Sequence, residues 1–139
     1  MSIQWIGIIT AITTFTGVWI GHVAVRKIEY VTSNLWLPSL VAILAGLILE
    51  FLSLISKHHM LSASLGIFAV TLLWDGIEFW RQQRRVWKGH APANPSNPRH
   101  LRILSESSLA TTFDLLDRDP VGYPVNQEDA IDLVKGIES

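Results

Sequence analysis

From Met1 to Val25 the chain carries no Asp, Glu, Lys or Arg, and its apolar positions leave no polar face. At 1.5 Å per residue such a stretch easily crosses a hydrocarbon core of roughly 30 Å. It lacks the positive n-region of a signal peptide and is too long for an h-region. Arg26, Lys27 and Glu29 end it. A second uncharged run goes from Tyr30 to Leu49 and continues past Glu50 to Ile55. Pro38 sits in its first turn, where proline is tolerated. After the turn Ser56-Lys57-His58-His59, a third run from His58 to Trp74 continues as a helical pattern through Asp75, Glu78 and Trp80. No stretch alternates as a strand does or shows a soluble helix's polar face. The pattern predicts an all-α fold: an integral membrane three-helix bundle with spans at about 3–25, 35–55 and 60–80, inside a domain of residues 1–90.

The pattern changes after Trp80. Residues 81–88 contain Arg81, Arg84 and Arg85 between Trp80 and Trp87, and Lys88 just beyond. They predict a helix leaving the bilayer along its interface, stopped by Gly89 and the prolines beyond. Residues 91–98, rich in Pro and Asn, read as a linker, and 99–139 as a short acidic, amphipathic cytoplasmic tail. There Leu101, Leu104, Leu109, Phe113, Leu115 and Leu116 form a loose helical stripe ended by Asp119-Pro120. Asn126 reads as an N-cap for a second helix over Gln127–Ile137. Two such helices are too small to bury a core of their own. They are expected to dock on the basic helix, to dock on a partner, or to stay mobile.

Composition sharpens this division. The apolar fraction is 49% and only 17% of residues are charged, against roughly a quarter in soluble domains. Residues 1–80 hold seven of the charged side chains and residues 81–139 hold sixteen. Residues 1–105 carry nine Lys and Arg against four Asp and Glu, and residues 106–139 two against eight. An acidic tail argues against a nucleic-acid partner. With no cysteine, disulfides, thiolate metal sites and thiol catalysis are excluded. Orientation follows from Lys and Arg near the span ends. Six (Arg26, Lys27, Arg81, Arg84, Arg85, Lys88) lie on the side shared by the first loop and the tail, and Lys57 alone lies on the other. The expected topology places the N-terminus outside and the C-terminus in the cytoplasm.

Few residues offer chemistry. Glu50 falls about 8 Å inside the outer boundary of the second span, at 1.5 Å per residue. A carboxylate there must be protonated or hydrogen-bonded. It is either an ion or proton site or an interhelical polar contact, and the contact is the simpler account of a single acid. Asp75 and Glu78 lie level with His22, Arg26 and Lys27, which predicts a polar intramembrane cluster clamping the first span to the third. Glu78 also has Arg81 and Gln82 about one turn on. Arg81, Arg84, Arg85 and Lys88 are candidate contacts for anionic lipid, each worth about 1 kcal/mol; a positive-inside anchor is the simpler account of them. The five histidines fall at different depths or in loops and lack metal-ligand spacing, so neither metal nor cofactor is expected. Gly17-x-x-x-Gly21, Ala42-x-x-x-Gly46 and Ser62-x-x-x-Gly66 supply each span with small residues for close helix packing.

A family resemblance rests on Gly21-His22 followed by Lys27-x-Glu29-Tyr30, on Trp74 with Glu78, and on Arg85-Val86-x-Lys88-Gly89 leading into Pro92-x-Asn94-Pro95. Over about residues 3–98 the chain resembles the small bacterial three-span membrane proteins that share a domain of unknown function. Val23 and His90 depart from that pattern, and residues from Arg99 onward lie outside it. The resemblance implies membrane location and fold, and no activity. Together these features lead us to expect a multi-pass plasma-membrane protein without catalysis, an accessory or structural subunit. A membrane-protein partner or homo-oligomer is expected beside anionic lipid. The alternative is a homo-oligomeric channel or transporter using Glu50.

Overall fold

The computed structural model describes residues 5–114. These form helices α1 (Trp5–Val31), α2 (Trp36–Ile55), α3 (His59–Trp87) and α4 (Pro98–Glu106), with no strand among the described residues. Helices α1, α2 and α3 are each long and apolar enough to cross a membrane. The protein is all-α and multi-pass. Both α1 and α3 run past the ends of the expected spans, because no helix breaker stands at the charged boundary. At 27 and 29 residues they reach about 40 Å at 1.5 Å per residue.

Helix α3 lies between the other two. Both α1 and α2 pack along it and make almost no contact with each other. On α1 the buried positions are Thr13, Gly17, Gly21, Val25 and Glu29, a constant four-residue step that follows one ridge of the helix. On α2 they are Ser39, Ala42, Gly46 and Ser53. Large apolar side chains such as Phe15, Val18, Leu44 and Phe51 point outward. Small residues inside and large ones outside is the arrangement expected where lipid is the solvent.

The small-residue positions meet α3 directly. A Cβ added to Gly46 would stand 2.8 Å from Leu73 Cγ and 3.0 Å from the Ala69 carbonyl. One added to Gly21 would stand 2.5 Å from the Asp75 carboxylate. Short hydroxyls complete the seams. Ser53 and Ser62 each donate to the other's carbonyl, at 2.8 and 2.9 Å, and Ser39 Oγ donates to the Gly76 carbonyl at 2.6 Å. Thr13 reaches Ser64 at 3.3 Å.

Beyond the spans the chain turns back as a cap. Helix α3 closes in a Schellman motif: Gly89 N–H bonds to Val86 and His90 N–H to Arg85. Gly89 takes φ +70°, and a side chain there would also strike the Leu109 carbonyl. Asn97 caps α4 by accepting from the Arg99 N–H, with Pro98 at the first helical position. Val86, Ala91, Ala93 and Ile103 form a second small core with Leu104 and Ala110 against it. Residues 91–98 thus include buried Ala91, Ala93 and Asn97. Helix α4 buries His100 and Ile103, while Leu101, Leu109 and Phe113 of the anticipated stripe are exposed. Leu115, Leu116 and the helix anticipated over 127–137 lie outside the described residues.

Candidate functional site

Any α-helix ends with carbonyls that have no partner within it and a partial negative charge. At the end of α1 that charge coincides with Glu29, which is 1% exposed. The cap supplies what both require. Arg99 Nη1 bonds to Glu29 Oε1 at 2.8 Å, and Arg99 Nη2 bonds to the Glu29 carbonyl at 2.6 Å. Asn97 Nδ2 donates to the carbonyls of Tyr30 and Thr32, and Asn94 Nδ2 to that of Tyr30. One segment therefore satisfies the helix terminus and neutralises its buried acid.

His100 completes the cluster and is fully buried. The Asn94 N–H donates to His100 Nδ1 at 2.8 Å. That nitrogen therefore carries no hydrogen, and Nε2 is the donor to Glu29 Oε1 at 2.9 Å. Tyr30 packs edge-on to the imidazole, with ring centroids 6.2 Å apart. Among the described residues no fully buried side-chain nitrogen or oxygen lacks a hydrogen-bond partner.

The polar cluster anticipated between the first and third spans divides. The Asp75 carboxylate abuts Gly21 and interacts electrostatically with His22, joining α1 to α3. Glu78 turns to its own helix, pairing with Arg85 at 2.5 Å and Arg81 at 3.1 Å, while Gln82 accepts a bond from Arg85. Arg26 pairs with Asp114 at 3.3 Å. Lys27 has no ion-pair partner among the described residues. Glu50 lies half-buried at the α2–α3 contact, its carboxylate about 3.9 Å from where a Gly66 Cβ would stand. No hydrogen-bond or ion-pair partner for Glu50 occurs among the described residues.

Two of the four cations assigned to lipid are thus committed to Glu78, and Arg81 also lies over the Trp74 ring at 5.3 Å. Arg84 and Lys88 are exposed. On the outer face of α4, the hydrogen bond to Glu106 and then that carboxylate's charge hold the Arg102 guanidinium above its ordinary pKa.

A family described as a domain of unknown function (DUF4491) matches residues 4–97. The chain belongs to the DUF4491 family. Comparison with curated proteins and with solved structures gave no match. The DUF4491 region contains Glu29, Tyr30, Asn94 and Asn97, and Arg99 and His100 stand two and three residues past its end.

Sequence reasoning missed Glu29 as the centre of a site. Its partners lie 70 and 71 residues away, so no local spacing shows the pairing. One signal was available. Asn97-Pro98 is an N-cap and first-turn pair; starting the helix there brings Arg99 and His100 into its first turn.

Proposed function

We propose that this DUF4491 protein is a non-catalytic accessory or structural subunit of a plasma-membrane complex. In this reading the N-terminus is outside, and the α1–α2 loop and the cap lie in the cytoplasm. The observation that carries it is the Glu29–Arg99–His100 cluster, where a buried acid is used up in fastening the cap to α1. Glu78 with Arg81 and Arg85 supports the same reading, since these groups also serve packing. The Lys and Arg bias supports the orientation. The acidic residues beyond 106 serve as a docking element that alternates between the protein's own basic helix and a partner.

The test is recovery of partners with the tagged full chain from native membranes, beside a chain ending after residue 114. The full chain should bring down a defined membrane-protein partner, and the shortened one should lose it with the cap intact. Equal recovery from both removes the docking role, and recovery of none from either removes the accessory reading. One observation favours a second reading: Glu50 is an acid within a span and has no hydrogen-bond or ion-pair partner among the described residues. If a homo-oligomer conducts protons or cations through it, proteoliposomes should show flux that Glu50→Gln abolishes. Flux absent from the wild type disposes of that reading.

A further inference from the structure

A groove of about 940 Å³ runs along the end of α1 beneath the cap. One wall carries Trp19 and Val23, in the apolar part of α1; farther along stand His22, Arg26 and Lys27; Asp114 closes the opposite side. The groove therefore crosses from the apolar stretch of a membrane helix into the charged region at its boundary. Along α1 an apolar stretch leads into Arg26 and Lys27, the order of an amphiphile's chains and headgroup, with Ile28, Tyr30 and Val31 beyond the cations. Glu29 also lines it, but that carboxylate is 1% exposed and engaged by Arg99 and His100. Asp114 is the acid placed on the groove's cations, 3.3 Å from Arg26. That pair is partly open to solvent, with side-chain exposures of 42% and 27%, and exposed pairs of this kind are weak.

We propose that this groove binds one anionic phospholipid, with its phosphate on Arg26 and Lys27 and its acyl chains along Trp19 and Val23, and that Asp114 competes for the phosphate position. A guanidinium can hold a phosphate through two parallel charge-assisted bonds, and Asp114 meets Arg26 through Nη2 at 3.3 Å. Displacing Asp114 from Arg26 breaks one tie between the 107–114 segment and α1, so lipid occupancy is coupled to how closely that segment lies on the helix. The site differs from the basic stretch at 81–88, where Arg81 and Arg85 are already paired with Glu78.

Native mass spectrometry of the full chain in detergent tests this, with phosphatidylglycerol titrated against phosphatidylcholine of the same acyl chains. One phosphatidylglycerol should bind in preference to phosphatidylcholine. Arg26→Gln with Lys27→Gln should weaken it about twenty-five-fold, since each cation at an anionic surface contributes a factor of about five. Arg84→Gln with Lys88→Gln, outside the groove, should change it by less than about twofold by the same reasoning. Asp114→Asn, which alters a partly exposed pair, should tighten binding and keep the proposal testable if the double variant misfolds. Equal binding of both lipids overturns the proposal, as does equal loss in the two double variants. It also fails if Asp114→Asn weakens binding, or if millimolar inorganic phosphate displaces the lipid, which would make the groove a site for the free ion.

Discussion

The two ends of the molecule hold their helices together by different chemistry. At the α2–α3 hairpin end the fastenings are short hydroxyls: Ser53 and Ser62 exchange hydrogen bonds, Thr13 meets Ser64, and Glu50 has no partner among the described residues. At the capped end they are charge-assisted: Arg99 and His100 on Glu29, and Arg81 and Arg85 on Glu78. The capped end also has an apolar core built around Val86 and Ile103, as a water-soluble fragment would. The difference follows from the surroundings. In lipid, apolar side chains gain nothing by turning inward, so close backbone approach and hydroxyl bonds decide the packing. Outside it, water drives a small core together, and long cationic side chains can be brought to a buried acid.

Glu29→Ala should have the largest effect, because it leaves Arg99 without its carboxylate beside a buried histidine. Removing one partner of a buried pair costs about 3–5 kcal/mol. Hydrogen exchange should rise sharply over Pro98–Glu106 while the spans stay protected. If the spans lose protection to the same degree, the two ends form one cooperative unit and the contrast between them fails. Gly46→Ala should come next, since Leu73 and the Ala69 carbonyl occupy the space required. Overpacking of this kind costs about 1–3 kcal/mol. It should lower the detergent melting temperature without exposing the cap, and a melting temperature equal to wild type would show that α2 has room to shift on α3. Ser53→Ala should be mildest. A hydrogen bond between membrane helices averages about 0.6 kcal/mol, so melting should move only slightly. A loss as large as that of Glu29→Ala would make the hairpin end as dependent on polar bonds as the cap.

The three long helices were legible because their evidence is local. Twenty-five residues without a charge, two shorter such runs and a glycine at position 89 say where helices lie and where α3 stops, and that glycine takes the left-handed φ expected of a C-cap. The small-residue pairs likewise marked surfaces that meet: Gly17 and Gly21 on α1 and Gly46 on α2 all face α3. Less could be read of the site. Depth alone placed Asp75 and Glu78 level with His22, Arg26 and Lys27. Depth does not say which way a side chain turns, and Glu78 found Arg81 and Arg85 on its own helix. The α4 stripe shows the same limit: counting leucines favoured Leu101, which is exposed, and Leu104, which packs at the edge of the small core, but the buried positions are His100 and Ile103.

By itself, then, the sequence determined the class of solvent around each segment, the presence and order of the three long helices and the faces able to approach closely, because these depend on neighbours within a turn or two. Tertiary structure decided that α3 lies between α1 and α2 and that residues 91–106 close over the end of α1. It also made Glu29, rather than the more conspicuous Glu50, the acid that fastens the cap, through Arg99 and His100. The physical reason is that an orphaned helix terminus with a buried carboxylate accepts any donors of suitable geometry. Only the folded path of the chain brings Asn94, Asn97, Arg99 and His100 to it from more than sixty residues away.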